Sequence, residues 1–180
     1  VDTFIMSMMP EALTPTTQTY ADMLEALDSR EVAVEEAKTG AQYRLGQASF
    51  TILAPLGEYD DTNDMSVVCR LDFGQRRFLF MGDAEKSSEN DLMNSGADVK
   101  ADFIKLGHHG SSTSSQERFL RLVNPRYAAI TCGAGNKYGH PHKETIARLK
   151  SLSIAYYRCD LNGTITVTSD GSAIAVTTEK

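Results

Sequence analysis

The chain has 180 residues, of which 41% are hydrophobic, and its formal net charge at neutral pH is −6. We therefore expect one soluble domain with one core over residues 1–180. No stretch reaches the roughly 18 consecutive apolar residues of a membrane helix, and the first residues lack the basic flank of a signal peptide. The negative charge argues against binding nucleic acid through overall charge, because such binding uses many Lys and Arg contacts with phosphates.

The first predicted elements are strands and one helix. The chain begins with Val1 rather than Met and enters a strand-like run at once, so we expect it to be cut from something longer. Apolar residues at helical spacing predict an amphipathic helix over residues 17–29. The runs EVAVEEA and ASFTILAP predict strands. Residues Met65 to Phe73 and Arg76 to Met81, joined by Gly-Gln, predict an antiparallel hairpin.

After this hairpin the sequence alternates between strands and helices. We expect helices around Ser88–Asn94 and Ser115–Val123, the second opened by a capping box of Ser114 and Glu117. A third helix is expected to start near Pro141, and the tail IAYYRCD, GTITVTS and SAIAVTT is typical of strands. This alternation, with apolar strands, predicts an α/β layered domain.

The three cysteines, Cys69, Cys132 and Cys159, lie in or at the ends of strand-like runs and show no CxxC spacing. Free cysteine usually behaves as a small buried apolar residue. We therefore expect core cysteines rather than a disulfide or a metal site.

Candidate metal ligands follow three of the predicted strands. Asp83 ends FLFMGD, His108 and His109 follow FIKLG, and His140 and His142 lie in YGHPH, so every histidine falls in one of two glycine-flanked loops. Sites in α/β sheets gather beyond the carboxyl ends of strands. Imidazole and carboxylate are the ligands of catalytic zinc and of mixed di-metal centres, so the pattern predicts a metal site.

Each residue also has a simpler interpretation. Asp83 could be the N-cap of the next helix. His140 could cap the helix that Pro141 begins, with His142 solvated in its first turn. One of the adjacent pair His108 and His109 could be hydrogen-bonded in the core and the other exposed. Serines beside a histidine suggest a Ser/His hydrolase, but no G-x-S-x-G elbow is present, and GAGNKYG is not a phosphate-binding loop.

Four segments resemble a known family: NDMSVVCRLDFGQRRFLFMGDAE, DVKADFIKLGHHGSSTSS, VNPRYAAITCGAGNKYGHPHKETIARLKS and YRCDLNGTITVTSDG. The order and spacing of GDAE, K-x-GHHGS and YGHPH resemble the carboxyl-terminal metallo-β-lactamase-like domain of the ComEC competence proteins and of the hydrolases that share it. The resemblance runs over residues 63–170 and more loosely from residue 1. It implies a metallo-β-lactamase-like αβ/βα sandwich with a centre of two divalent metal ions, zinc or manganese.

The resemblance also implies roles for residues. Asp83 matches the carboxylate that bridges both metals, and either His108 or His109 matches the histidine ligand of HHGS. His140 matches the last ligand or a substrate-facing group, with His142 as a further candidate ligand. Asp83, His109 and His140 are thus the expected catalytic residues. Two more residues, without assigned roles, match positions in the same loops: Lys105 and Ser111.

The sequence departs from the family at its chief metal motif. H-x-H-x-D-H is absent, and HPH is followed by Lys143 and Glu144. We therefore expect the carboxyl-terminal part of the domain, without its opening strands. It would hold one metal or none and be inactive alone. An exposed sheet would bind the missing part of the domain or another copy of the chain.

For the intact protein, the resemblance implies metal-dependent hydrolysis of a phosphodiester, with the DNA strand degraded during uptake as substrate. The alternatives are hydrolysis of a phosphorylcholine ester or another small ester, and a non-catalytic structural or partner-binding module. The resemblance alone implies a location at the outer face of the bacterial membrane or outside the cell.

Overall fold

The computed structural model describes the whole chain, residues 1–180. The strands are β1 (Thr3–Met6), β2 (Ala33–Glu36), β3 (Gln42–Leu45), β4 (Ala48–Ala54), β5 (Val68–Phe73), β6 (Arg76–Phe80), β7 (Phe103–Lys105), β8 (Tyr127–Ile130), β9 (Ala155–Arg158), β10 (Ile165–Ser169) and β11 (Ile174–Thr178). The helices are α1 (Gln18–Ser29), α2 (Lys86–Ser95), α3 (Glu117–Val123), α4 (Lys143–Ser151) and α5 (Cys159–Asn162). No helix combines the length and the apolar character that a membrane crossing requires.

A seven-stranded mixed sheet, in the order β3-β4-β5-β6-β7-β8-β9, forms the centre of the molecule. Strands β3 to β6 are antiparallel neighbours, whereas β6 to β9 run parallel. Helices α2, α3 and α4 connect the successive parallel strands, since parallel neighbours need long crossover connections. β1 pairs with β2, and β10 with β11, in two separate small sheets. The predicted α/β layered architecture is confirmed.

The predicted hairpin is present as β5 and β6, paired in antiparallel register around Gly74 and Gln75. Gly74 has a φ of +59°, and a Cβ there would lie 2.5 Å from the carbonyl oxygen of Gly171. Glycine is therefore required both by the turn and by the close approach of a second backbone. Strand β5 is shorter than predicted, because a turn closed by a hydrogen bond from the Ser66 N–H to the Asn63 carbonyl occupies its expected start.

The predicted helices lie close to their expected positions, but the capping box is wrong. Glu117 forms an ion pair with Arg121 at 2.6 Å, and the Ser114 hydroxyl donates to the Gly107 carbonyl. The carboxylate of Glu89 in α2 instead accepts the free N–H groups of Ser115 and Gln116. A buried acid from another element thus replaces the local cap. Strand β3, absent from the prediction, is mostly exposed and has little apolar pattern.

The main core lies between the sheet and the helices α2, α3 and α4. It contains 19 buried residues, including Leu79, Ile104 and Ile130 from three adjacent strands and Phe119 and Leu149 from the helices. All five are at most 1% exposed. Burying each such side chain contributes about 1.5–3 kcal/mol to folding. This packing fixes the carboxyl ends of the parallel strands.

The opposite side of the sheet, which we call the open face, is covered only in part. Phe78 and Phe103 pack there against Ile165 and Val167 of the β10–β11 hairpin. Beside them lies a groove of about 820 Å³. Phe80, one of its lining residues, is 37% exposed. Large apolar residues on an accessible surface are typical of faces that pack against a further element.

The three cysteines are free thiols. Cys132 is buried as predicted, whereas Cys69 and Cys159 are half-buried. The thiol of Cys132 lies 3.2 Å from a carboxylate oxygen of Asp160. Burial, with this contact, raises the pKa of Cys132 to about 11. The thiol is therefore protonated at neutral pH.

Candidate metal centre

Three neighbouring parallel strands end at one edge of the sheet and bring the predicted site residues together. Asp83 follows β6, His108 and His109 follow β7, and His140 and His142 follow β8. The Nε2 atom of His109 lies 3.5 Å from Oδ1 of Asp83. The ring centres of His108 and His142 lie 5.2 and 4.8 Å from that of His140. We call these five side chains the histidine cluster.

A tight turn positions Asp83. Gly82 has a φ of +56°, and a Cβ there would lie 2.8 Å from the Cβ of Ser66. The Asp83 N–H donates to the Ser66 hydroxyl at 2.9 Å. The ammonium of Lys105 donates to the Gly82 carbonyl at 2.6 Å and lies 3.8 Å from Asp83 Oδ1. Burial lowers the pKa of Lys105, and the negative charge of Asp83 acts against that shift.

The alternative role of Asp83 as a helix cap is taken by another residue. Oδ1 of the buried Asp64 accepts the backbone N–H groups of Glu85 and Ser88, at 2.8 and 3.0 Å, at the start of α2. An acid at this end also suits the helix dipole. Asp83 is therefore not needed to cap α2, and its carboxylate points toward His109.

His108 and His109 have an unusual backbone conformation. Their φ angles are +41° and +53°, and Gly110 follows with +82°. A left-handed conformation costs a non-glycine residue about 1 kcal/mol or more and marks functional sites when surrounding structure enforces it. Gly107 is also required, since a Cβ there would lie 2.4 Å from the Ala84 carbonyl oxygen. The GHHG sequence thus combines steric need with two strained histidines.

Side chains of two helices hold this strained loop. Glu89 of α2, 1% exposed, accepts from Ser115 N–H at 2.5 Å and from Gln116 N–H at 3.0 Å. Arg148 of α4 donates to the carbonyls of Ser112 and Ser114, at 3.1 and 2.9 Å. Burial raises the pKa of Glu89 to about 8, and the two backbone N–H groups and Arg148 act in the opposite direction.

The neighbours of the two rings determine where their nitrogens point. Nδ1 of His109 lies 2.6 Å from the Thr131 carbonyl oxygen. A carbonyl oxygen only accepts, so Nδ1 carries a proton, and in the neutral form of the ring Nε2 would present a lone pair toward Asp83. A lone pair facing a carboxylate oxygen is favourable when both share a cation. Nδ1 of His108 is similarly bonded to Glu85 Oε1 at 2.5 Å, an arrangement that orients metal-binding histidines.

His140 lies at the centre of the cluster without a hydrogen bond to its ring nitrogens. Asn136 holds only its backbone, by bonds to the N–H at 3.0 Å and the carbonyl at 2.6 Å. Burial lowers the pKa of His140, and the neighbouring rings of His108, His142 and His109 lower it further. At neutral pH the ring is therefore neutral and offers a lone pair.

His142 differs from the other three histidines, because protein groups already occupy both of its ring nitrogens. Its Nδ1 accepts from the backbone N–H of Ser112 at 2.9 Å. Its Nε2–H then donates to the Tyr138 carbonyl at 3.2 Å. This geometry favours an orienting role, in which His142 ties the loop after β7 to the loop after β8. The Ser112 hydroxyl also lies 3.0 Å from Nδ1, but no carboxylate orients the ring as in a Ser/His/Asp hydrolase.

The donor types of the cluster fit a divalent metal, but the set is incomplete. Imidazole and carboxylate are ligands that zinc and manganese accept, and the facing lone pairs of His109 and Asp83 suit a shared cation. No three His, Cys, Asp or Glu side chains converge as a group that could hold a metal ion. Tetrahedral zinc sites use about four ligands, so a metal here would need donors beyond this pair.

Sequence reasoning missed several supporting residues. Glu85 stands inside the GDAE motif, where its contact with His108 could have been suspected from position alone. Asn136 and Arg148 gave no signal, because one lies in a polar loop and the other on a helix with a charged sequence. Ser111 is 3% exposed, and its hydroxyl bonds Thr113 rather than any histidine.

The fold has counterparts among known proteins. The family described as Metallo-beta-lactamase superfamily matches residues 55–133. Among solved structures, a mutant of CmlA beta-hydroxylase superposes with a TM-score of 0.52 at 13% identity, over 86% of this chain and 37% of that one. That likeness concerns the fold alone. Residues 55–133 therefore match the metallo-β-lactamase superfamily, whose members generally bind divalent metals.

The similar proteins include competence and recombination proteins. The ComE operon protein 3 of Bacillus subtilis is 36% identical over 144 residues, which are 79% of this chain and 19% of that protein. Competence protein ComA of Neisseria gonorrhoeae is 36% identical over 106 residues, 58% of this chain and 15% of ComA. Recombination protein 2 of Haemophilus influenzae is 33% identical over 105 residues, 58% and 13% respectively. The chain therefore spans less than a fifth of these relatives, and the resemblance to the ComEC type is confirmed.

Proposed function

We propose that this chain supplies half of the metal centre of a metal-dependent phosphodiester hydrolase of the ComEC type. The observation that carries the proposal is the facing pair of His109 and Asp83, 3.5 Å apart, with His109 Nδ1 fixed by the Thr131 carbonyl. Such fixing is what prepares a histidine to bind a metal.

In this proposal the residues of the cluster have separate tasks. Asp83 and His109 would hold metal, with Asp83 as the carboxylate shared by two ions of zinc or manganese. Bound divalent ions would supply positive charge for the phosphate oxygens and activate water. His140 serves as a further ligand or faces the substrate, because its ring nitrogens are free of protein partners. Glu85 orients His108, and His142 keeps the two loops together.

The remaining ligands would come from outside the 180 residues, on a segment carrying H-x-H-x-D-H. The same segment would cover the open face, where Phe80 and the groove of about 820 Å³ are accessible. Alone, the chain would hold one metal or none, be inactive, and self-associate through this face. These statements rest on the incomplete ligand set and on the apolar character of the face.

The proposed substrate is a DNA strand, since the similar proteins are named for competence and recombination. A location at the outer face of a bacterial membrane belongs to the same proposal. The net charge of −6 favours a second candidate, a small ester such as a phosphorylcholine ester, because phosphate-rich polymers bind best to basic surfaces. A non-catalytic module is the remaining candidate and requires that no upstream metal motif exists.

The test uses the longer natural protein with added zinc or manganese, assayed on single-stranded DNA and on a small phosphodiester. Asp83→Ala is expected to abolish turnover of both, whereas Asp60→Ala, at an exposed acid, should leave it unchanged. Elemental analysis of this chain should also show about one metal per chain at most, lost in Asp83→Ala. Near-normal turnover in Asp83→Ala would exclude the bridging role, and an upstream sequence without H-x-H-x-D-H would favour the module.

A further inference from the structure

Tyr138 is an exposed aromatic residue at the rim of the histidine cluster. It is 65% exposed, and its ring lies 5.7 Å from that of His140 at an interplanar angle of 22°. The rings of His140 and His109 are stacked in turn, 6.4 Å apart at 25°. A stack of flat rings therefore leads from the solvent to the partner of Asp83.

Hydrogen bonds hold the backbone of Tyr138 in this position. Its carbonyl accepts from His142 Nε2–H at 3.2 Å. Asn136, two residues earlier, bonds the Gly133 carbonyl at 2.9 Å and both backbone groups of His140. The loop is thus closed on itself, while the tyrosine ring stays in water. A large ring that is this exposed contributes little to the core, so packing does not explain it.

The surroundings of the ring suit a nucleobase attached to a phosphate. A cavity of about 210 Å³ is bordered by Tyr138, His140, His109 and Asn136. The ammonium of Lys137 lies 5.1 Å from the centre of the tyrosine ring. Aromatic rings bind bases of single strands by stacking, whatever their sequence, and nearby cations contact the backbone. Local contacts of this kind matter most in a chain whose net charge is −6.

We propose that Tyr138 is a stacking platform for one base of a single-stranded nucleic acid, so that the adjoining phosphodiester reaches the histidine cluster. Lys137 leaves the ring when the base arrives and contacts a phosphate. The inference rests on the proposed phosphodiester hydrolase function and names a residue that would bind the substrate of that site. It involves binding only, with no covalent step.

The chain has no tryptophan, which gives a direct experiment on the full 180 residues. Tyr138→Trp keeps a stacking ring and introduces a single fluorophore at the proposed site. In EDTA and low salt, an oligothymidylate should quench this fluorescence saturably. An abasic oligonucleotide of equal length should bind at least about fivefold more weakly, since stacking contributes a large part of such affinity. Val34→Trp, in the separate β1–β2 sheet, is the control and should show no such difference.

Competition by unlabelled variants separates stacking from charge. Tyr138→Phe should bind the oligothymidylate as wild type does, and Tyr138→Ala at least about fivefold more weakly. Lys137→Gln should weaken both oligonucleotides alike. Equal quenching by both oligonucleotides, or equal binding by Tyr138→Ala and Tyr138→Phe, would overturn the inference. Because the assay contains no metal, its outcome is independent of hydrolysis: base-dependent quenching without turnover in the longer protein would leave the platform and remove the hydrolase.

Discussion

The two loops that carry the histidines are built differently. The loop after β7, residues 106–116, places His108 and His109 in left-handed conformations and is held by Glu89, Arg148 and Thr145 from two helices. The loop after β8, residues 131–142, is held mainly by its own Asn136 and by the contact between His142 and Ser112. Side chains of the packed helices therefore support the first loop, whereas the second loop is supported by hydrogen bonds of its own residues.

This difference indicates where the rigidity of the cluster comes from. Strained backbone persists only when its surroundings enforce it, and the surroundings of His108 and His109 include buried polar groups far along the chain. Glu89 and Arg148 bond loop groups that would otherwise be unpaired inside the protein. The loop after β8 needs no such support, because most of it faces solvent. Substitutions of the helix side chains that hold the loop after β7 should therefore lower the free energy of unfolding of the whole domain. Substitutions within the loop after β8 should have smaller and more local effects.

The largest effect is expected for Glu89→Ala. The change leaves the N–H groups of Ser115 and Gln116 without acceptors and removes the acidic group that faces Arg148. Losing such buried bonds costs about 3 kcal/mol or more of the free energy of unfolding, measurable by urea denaturation. Glu117→Ala, which breaks only an exposed ion pair, should cost less than about 1 kcal/mol. Equal losses of the free energy of unfolding in the two variants would contradict the role of Glu89 in holding the loop after β7.

The next effect concerns pH and the same carboxyl group. Burial raises the pKa of Glu89 from 4.5 to about 8 in the folded chain, with Arg148 and Asp64 as the charges that face it. Between these values the folded state keeps a proton that the unfolded state has released. The contribution of Glu89 to the free energy of unfolding is therefore full below pH 4.5 and is lost as the pH rises toward about 8. The free energy of unfolding should therefore decrease across this window. Glu89→Gln should flatten that decrease, whereas Glu25→Gln, at an exposed acid, should not; identical slopes in all three proteins would refute the assignment.

Sequence patterns predicted the local parts of this architecture and missed the distant ones. The hairpin around Gly74 and the positions of α1 and α2 follow from turn chemistry and apolar spacing, which act between near neighbours. The gathering of Asp83 and the histidines follows from parallel strands ending at one edge. Glu89 could not be predicted, because its partners lie 26 and 27 residues away and only folding brings them together. Because sequence patterns register only near neighbours, they indicate a local capping box at Ser114 instead of this distant carboxyl group.

A smaller effect is expected for Thr145→Val. The Thr145 hydroxyl donates to the Ser111 carbonyl at 2.9 Å, and both residues are buried. Valine has nearly the same shape but no donor, so the carbonyl loses a partner at a cost of about 1–2 kcal/mol. Thr145→Ser keeps the hydroxyl and should recover most of that loss in thermal or urea denaturation. A Thr145→Val variant as stable as the wild-type chain would show that this hydrogen bond does not contribute to stability.

The smallest change in stability is expected for Asn136→Ala, although its local effect should be clear. The side chain of Asn136 bonds three backbone groups within its own loop, and the loop is largely exposed, so water can replace these partners. We expect a loss of about 1 kcal/mol or less. On the Tyr138→Trp background, however, acrylamide quenching of the fluorophore should increase after Asn136→Ala and stay unchanged after Thr145→Val. Because hydrogen bonds within the loop after β8 hold it, the mobility of this loop should rise without a matching loss of global stability. If quenching increased equally in Asn136→Ala and Thr145→Val, the two loops would depend on the same supporting contacts.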